Sequence, residues 1–228
     1  MADNENEDNL EESMDNDNEE SIKVVLIGES GVGKTSIISQ FTKGLFNQDI
    51  MSTNGATFST KKKKFKEQNK TLSFEIWDTA GQEKYRSLAK MFFKDAAVAL
   101  LVYDITSKNS FIEMKDYWAN SIKENGPKQM IMYIVGNKSD LYEREAIREE
   151  EAREYAKSQN IPLWFTSAKD STGINELFEE IGLKYLSPEF NNCEEIVQRK
   201  IRKNEVSKVN KEAEKNDNKI NNKKGCCG

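Results

Sequence analysis

The chain of 228 residues has no histidine, three cysteines and three prolines. Without imidazole, Ser-His-Asp and Cys-His catalysis are excluded, along with most zinc chemistry. Three cysteines, two of them adjacent (Cys226 and Cys227), cannot build a disulfide framework. A reducing compartment fits that usage. No apolar run approaches the ~20 residues that a membrane-spanning helix needs. Basic residues are absent from residues 1–20, which hold ten Asp or Glu and five Asn. Such a run has too little apolar surface to offset chain entropy and reads as a disordered extension. It lacks the basic start and apolar core of a secretory signal, and Ala2 stands where N-myristoylation needs glycine.

The net charge of −5 divides into −10 for 1–20, +3 for 187–228 and therefore +2 for 21–186. A nearly neutral middle carries no basic stripe of the kind that binds nucleic acid. Its one basic run, Lys61 to Lys64, reads as a solvated strand face or edge. Three parts follow: an acidic extension over 1–20, a folded domain over 21–186 and a flexible tail over 187–228.

The middle alternates short apolar runs with amphipathic stretches. Ile22 to Ile27 has the pattern of a buried strand, ending at Gly28, and a helix follows from Lys34 with Ile37, Ile38, Phe41 and Leu45 on one face. Residues 56–67 and 71–77 read as an antiparallel pair joined at Gln68-Asn69-Lys70. Ala97 to Tyr103, Met130 to Val135 and Leu163 to Thr166 read as buried strands. Helices are predicted from Ser107 to about Ser121, over 145–159, and along the Ile174, Leu177, Phe178, Ile181 stripe. The fold class is α/β. It should have a mainly parallel six-stranded sheet with one antiparallel edge strand and helices on both faces. In such a sheet, binding belongs at the carboxyl ends of the strands.

Each chemical motif lies at such an end. Gly28-Glu29-Ser30-Gly31-Val32-Gly33-Lys34-Thr35 fits the P-loop between a strand and a helix. Its glycines let backbone N–H groups converge on phosphate oxygens, Lys34 reaches the outer phosphates, and the Thr35 hydroxyl is placed for Mg²⁺. The pattern makes the expected α/β fold that of a P-loop NTPase and indicates a nucleoside triphosphate, but leaves the base and the reaction open. Trp77-Asp78-Thr79-Ala80-Gly81-Gln82-Glu83 supplies a carboxylate at the end of an apolar run, a flexible glycine and an amide. That set can hold a metal, sense a terminal phosphate and orient water. Asn137-Lys138-Ser139-Asp140 and Ser167-Ala168-Lys169 follow two buried strands. Asp140 can accept from both donors on the guanine edge, which adenine lacks. Asn137 can tie loops together, the Lys138 stem can lie along the base, and the Ala168 N–H can meet the guanine oxygen.

In this order and spacing, GESGVGKT, Thr53, WDTAGQE, NKSD and SAK resemble a Ras-superfamily small GTPase. The match covers residues 22–186. Ser-Thr-x-Gly-x-x-Phe at 52–58, Ile-Trp before Asp78 and Tyr-Arg-Ser-Leu at 85–88 resemble the Rab family. Gly55-Ala56 and Ser87 to Met91 resemble its early-endosomal branch. The resemblance implies GTP/GDP binding by Ser30, Gly31, Val32, Gly33, Lys34, Thr35, Ser36, Phe46, Thr53, Gly81, Asn137, Lys138, Asp140, Ser167, Ala168 and Lys169. It implies Mg²⁺ on Thr35, Thr53 and, through water, Asp78. Gln82 would orient the attacking water, and Phe46 would pack against guanine. An effector surface of Phe58, Trp77 and Phe92 is implied, although Phe92 stands where many relatives have tyrosine. Asn54 replaces a usual isoleucine of the first switch. That departure leaves the nucleotide chemistry intact and affects effector recognition.

Only seventeen residues separate Thr35 from Thr53, too few for the inserted domain that supplies an arginine in other GTPases. Turnover should then be slow without an activating protein. Gly225 occupies the position that a CaaX signal reserves for cysteine. Cys226-Cys227-Gly228 instead resembles a Rab double-geranylgeranylation site. The family resemblance implies an exchange factor, an activating protein, a GDP-dissociation inhibitor, a prenylation escort protein and effectors. It also implies a monomer on the cytoplasmic face of intracellular membranes. Two other readings stay open at this level: a GTP-locked scaffold without hydrolysis, and a P-loop ATPase or small-molecule kinase.

Overall fold

A computed structural model describes residues 19–48, 53, 56–79 and 91–191. Its six-stranded sheet is built from β1 (Glu19–Ile27), β2 (Ala56–Phe65), β3 (Lys70–Thr79), β4 (Val98–Asp104), β5 (Ile131–Asn137) and β6 (Leu163–Thr166). The strand order is β2-β3-β1-β4-β5-β6, with β2 antiparallel to β3 and every other pairing parallel. The expected architecture is therefore present, including the antiparallel edge. β4 is buried at all seven positions, as an apolar strand covered on both faces must be.

The helices are α1 (Lys34–Lys43), α2 (Lys108–Glu113), α3 (Ala119–Asn125), α4 (Glu149–Gln159) and α5 (Ile174–Leu186). Ser107 caps α2 by accepting a hydrogen bond from Ser110 N. Between α2 and α3 the chain makes a π-helical turn, Met114–Trp118, whose Met114 and Trp118 are buried. On one side of the sheet Trp118, Phe111, Tyr103 and Ile134 share a core. On the other, Phe41 of α1 stacks on Phe178 of α5 with ring centroids 3.7 Å apart, and Phe74 of β3 meets both edge-on. Ser187–Gly228 forms a separate unit, whose described part includes one helical turn, α6 (Pro188–Asn191).

Three boundaries differ from the sequence-based expectation. The sheet takes in Glu19 and Glu20, which composition assigns to the acidic extension. β3 starts early enough to give them strand partners, and their carboxylates reach Lys62 (2.8 Å) and Lys70 (3.1 Å). The β2–β3 turn occupies Lys66 to Asn69, because Asn69 accepts the left-handed conformation (φ 48°) that closes it. The helix predicted over 145–159 begins only at Glu149. Ala146 and Ile147 donate their N–H groups to Ile105 O, which holds that stretch against the end of β4 and buries Ile147. A short 3₁₀ helix, Ser139–Arg144, precedes it.

Candidate nucleotide site

At the carboxyl ends of β1, β4 and β5 lies a cavity of about 350 Å³. Its phosphate-type end is the loop from Gly28 to Gly33. A side chain at Gly28 would put its Cβ 2.1 Å from Val102 O, and one at Gly33 would lie 2.3 Å from Asn137 Nδ2. Both glycines also have positive φ, so the loop depends on them. The first turn of α1 has neither a side-chain cap nor an acidic residue, and its N–H groups suit an anion. Lys34 is buried, with Nζ donating to Gly28 O (3.0 Å) and Glu29 O (2.9 Å). Burial pulls its ammonium down to about 8, while the Asp78 and Glu29 charges oppose that shift. A phosphate group beside it would favour the charged form again.

Next to Lys34 is a cluster of two hydroxyls and one carboxylate. Thr35 Oγ1 donates to Asp78 Oδ2 at 2.5 Å, Thr53 Oγ1 donates to the same oxygen at 3.2 Å, and the two hydroxyls lie 2.8 Å apart. Asp78 is 1% exposed, and its second oxygen, Oδ1, is buried without a hydrogen-bond partner. Burial raises its pKa; the Thr35 hydrogen bond, the Lys34 charge and the Thr53 hydrogen bond oppose the rise. A buried carboxylate with an unsatisfied oxygen, flanked by hydroxyls, is a hard oxygen donor set that fits Mg²⁺.

The other end is held by paired side chains. Asn137 Nδ2 donates to Val32 O (2.8 Å), and Thr166 Oγ1 donates to Asn137 Oδ1 (3.1 Å), so one amide ties the phosphate loop to β6. Val32 is buried and contributes that carbonyl rather than cavity lining. Ser167 Oγ donates to Asp140 Oδ1 (2.7 Å) and accepts from Asp170 N, which orients the carboxylate. Lys138 takes a left-handed backbone and pairs with Asp104 Oδ2 at 2.6 Å. Phe46, Lys138, Asp140, Leu141, Ala168 and Lys169 line this end, and Phe46 is 40% exposed. Ser30, Gly31, Gly33, Lys34, Thr35, Ser36 and Thr53 line the phosphate end. Gly81, Gln82, Cys226 and Cys227 lie outside the described residues.

A glycine loop at a helix start and a carboxylate oriented by a serine share one cavity. The Ras family profile matches residues 23–187. The chain belongs to the Ras family. It is 41% identical over 170 residues to Ras-related protein Rab-22A of Homo sapiens, covering 75% of this chain and 86% of that protein. It is 44% identical over 159 residues to Ras-related protein RHN1 of Nicotiana plumbaginifolia, covering 70% and 78% respectively. With Homo sapiens Ras-related protein Rab-31 it shares 43% over 160 residues, 70% of this chain and 80% of that one. Within the family it is a Rab small GTPase of intracellular trafficking, binding GTP and GDP and hydrolysing GTP.

In this Rab domain the three aromatics named from the sequence do come together. Phe58 and Trp77 are cross-strand partners with ring centroids 5.2 Å apart, and Phe92 lies 6.0 Å from Trp77. They are not three loose surface rings. Trp77 and Phe92 pack on the main core, while Phe58 is 52% exposed. Sequence reasoning missed several supports of this GTPase site. Asp104 holds Lys138, Thr166 holds Asn137, and Thr79 Oγ1 donates to Leu26 O at 2.7 Å, fastening β3 to β1 behind Asp78. Asn109 Nδ2 also donates to Glu29 Oε1 (2.9 Å) and ties the phosphate loop to α2. Asp104 had a readable signal, an acid closing a fully apolar strand at its carboxyl end; the others did not.

Proposed function

We propose that this Rab GTPase is a slow hydrolytic timer, tethered by two lipids on endosomal membranes. The observation that carries the reading is the meeting of Thr53, from the loop after Phe46, with Thr35 and Asp78 beside the phosphate loop. A loop that reaches the phosphate end through one hydroxyl can be held or released there according to what that end contains.

In this reading Lys34 and the N–H groups at the start of α1 bind the outer phosphates. Thr35, Thr53 and, through water, Asp78 would hold Mg²⁺, which when bound offsets phosphate charge. Gln82 orients the water for in-line attack, and Gly81 N–H meets the γ-phosphate. Asp140 accepts from the guanine edge, with Phe46 and the Lys138 stem against the ring faces. Thr53 and Gly81 let go after hydrolysis, so residues 46–58 and 79–93 change order with the nucleotide. The short span between Thr35 and Thr53 supports a dependence on an activating protein, with unaided turnover on the order of 10⁻⁴ to 10⁻³ s⁻¹, as for Ras.

Geranylgeranyl groups on Cys226 and Cys227 anchor the chain. One chain of this kind holds a protein marginally and two hold it stably, with Lys223 and Lys224 adding attraction to anionic lipid. An exchange factor, a GDP-dissociation inhibitor, an escort protein and effectors reading Phe58, Trp77 and Phe92 complete the cycle. Similarity to Rab-22A, Rab-31 and Rab5 of Nicotiana tabacum supports an early-endosomal station. The test is single-turnover phosphate release by purified, GTP-loaded protein, alone and with candidate activating proteins. Slow release alone and strong acceleration in their presence is expected. Fast release from the purified chain alone refutes the timer.

A further inference from the structure

The β2–β3 hairpin presents two unlike faces. Lys61, Lys63 and Phe65 point toward the helices: Lys61 Nζ donates to Phe41 O, and Lys63 pairs with Glu179 of α5 at 2.7 Å. Lys62 and Lys64 alternate with these and point the other way. Cross-strand register puts them in rows with Ser73 and Ser21, and with Thr71 and Glu19. Thr71, Ser73 and Glu75 on this face are only half-buried, and Lys62 is 64% exposed. Phe58 and Trp77 head the same face, six residues up β2 from Lys64, or about 20 Å of strand. The lower end is cationic. Lys62 and Lys64 lie there next to Lys66 of the turn, with Glu67 in the turn and Glu75 higher on the face, whereas Lys70, opposite Phe65, belongs to the helix side.

The strongest acidic run in the chain ends at this place. Residues 1–18 carry eight Asp or Glu and no Lys or Arg. The first acid beyond them, Glu19, already pairs with Lys62 on this face, while Glu20, in register with Leu72, pairs with Lys70 on the helix side. Asp15, Asp17 and Glu19 alternate with Asn16 and Asn18, a spacing that sends three carboxylates to one side of an extended segment. Eighteen residues can span up to about 60 Å, well beyond the length of this face. We propose that residues 1–18 fold back over the open face of the β2–β3 hairpin, extend the acid–lysine pairing begun by Glu19 and Lys62, and shield its lysines from other anionic surfaces. The proposal rests on the sheet and its charges, independently of the timer reading.

Each exposed pair contributes at most about 1 kcal/mol, so the cover is weak and salt-sensitive. Covalent tethering makes it effective, because the segment is present at an effective concentration of roughly millimolar. The test compares the full chain with a full-length variant whose eight acids in 1–18 are changed to their amides. Acetylation of Lys62 and Lys64 by dilute acetic anhydride is followed by mass spectrometry. The variant should react several-fold faster at both lysines in low salt and at the same rate as the parent in about 0.5 M salt, where the screening length falls to a few ångströms. Lys108, on α2, should react alike in both proteins. A peptide of residues 1–18 added in trans should restore protection to the variant. Equal lysine reactivity in low salt overturns the proposal. Protection that rises with protein concentration assigns the face to a second copy and also overturns it. The proposal fails as well if vesicles of equal phosphatidylserine and phosphatidylcholine bind parent and variant equally and shield these lysines in both.

Discussion

The two ends of the nucleotide cavity are built on opposite principles. At the base end the polar side chains that shape the site are already partnered within the protein. Asn137 is bonded at both amide atoms, Asp140 is oriented by Ser167, and Lys138 is paired with Asp104. At the phosphate end the groups are buried and incompletely matched. Lys34 leans on carbonyl oxygens in place of a full counter-charge, and Asp78 keeps one oxygen without a partner. Preorganised groups recognise without rearranging, whereas unmet buried charge takes its order from a ligand. One cavity can thus hold a guanine nucleotide steadily while its phosphate end responds to the number of phosphates.

The largest effect should come from breaking the matched end. Asp140→Asn removes the proposed acceptor for two guanine donors, and GDP affinity should fall by about 10³-fold or more in a calorimetric or fluorescent-nucleotide assay. Retained GDP affinity would mean that the base is read elsewhere. Gln82→Leu removes only the amide proposed to orient the attacking water. It should slow single-turnover phosphate release by about 10- to 100-fold while leaving GDP dissociation within about twofold. Equal loss in both measurements would erase the contrast between the ends. Chelating divalent metal should speed nucleotide release from the parent protein, with no change in base selectivity.

Much of this contrast was legible in the residue order. The strand-to-helix glycine loop, Asp78 at the end of an apolar run and Asp140 after another are local patterns with few alternatives. The mainly parallel sheet follows from alternation, and the antiparallel edge from the short turn near Asn69, whereas the strand order came only with the structure. The supports were not legible, because they join residues far apart in the chain. Thr166 with Asn137 and Asp104 with Lys138 become neighbours only when β4, β5 and β6 lie side by side. The late start of α4 has the same origin, a tertiary hydrogen bond to Ile105 that overrides helix propensity. The π-helical turn at Met114 leaves no signal in a stretch that reads as regular helix.

Two smaller predictions address the framework around the cavity. Asn137→Ala leaves Val32 O and the Thr166 hydroxyl without partners, and nucleotide-free protein should lose about 1–3 kcal/mol in denaturant melts. Tyr103 is buried with its hydroxyl unpartnered, so Tyr103→Phe should be nearly neutral at pH 7. Burial pushes this phenol, and that of Tyr133, above the ordinary value of 10.0. The unfolded chain therefore ionises first. Stability from each neutral phenol is complete below pH 10 and is lost as the pH climbs above it, by up to about 1.4 kcal/mol per pH unit. Tyr103→Phe should consequently melt at a higher temperature than the parent at pH 11 and alongside it at pH 7.

The space beside Gly33 also bears on how such a chain can be inherited. Any side chain there would displace the amide of Asn137, more than a hundred positions further on. A recombined descendant could not exchange the loop that carries Asn137 for a bulkier one while keeping its glycine loop, nor the reverse. Crossovers that separate the two would yield offspring that misfit, so this pair must travel as a single heritable block.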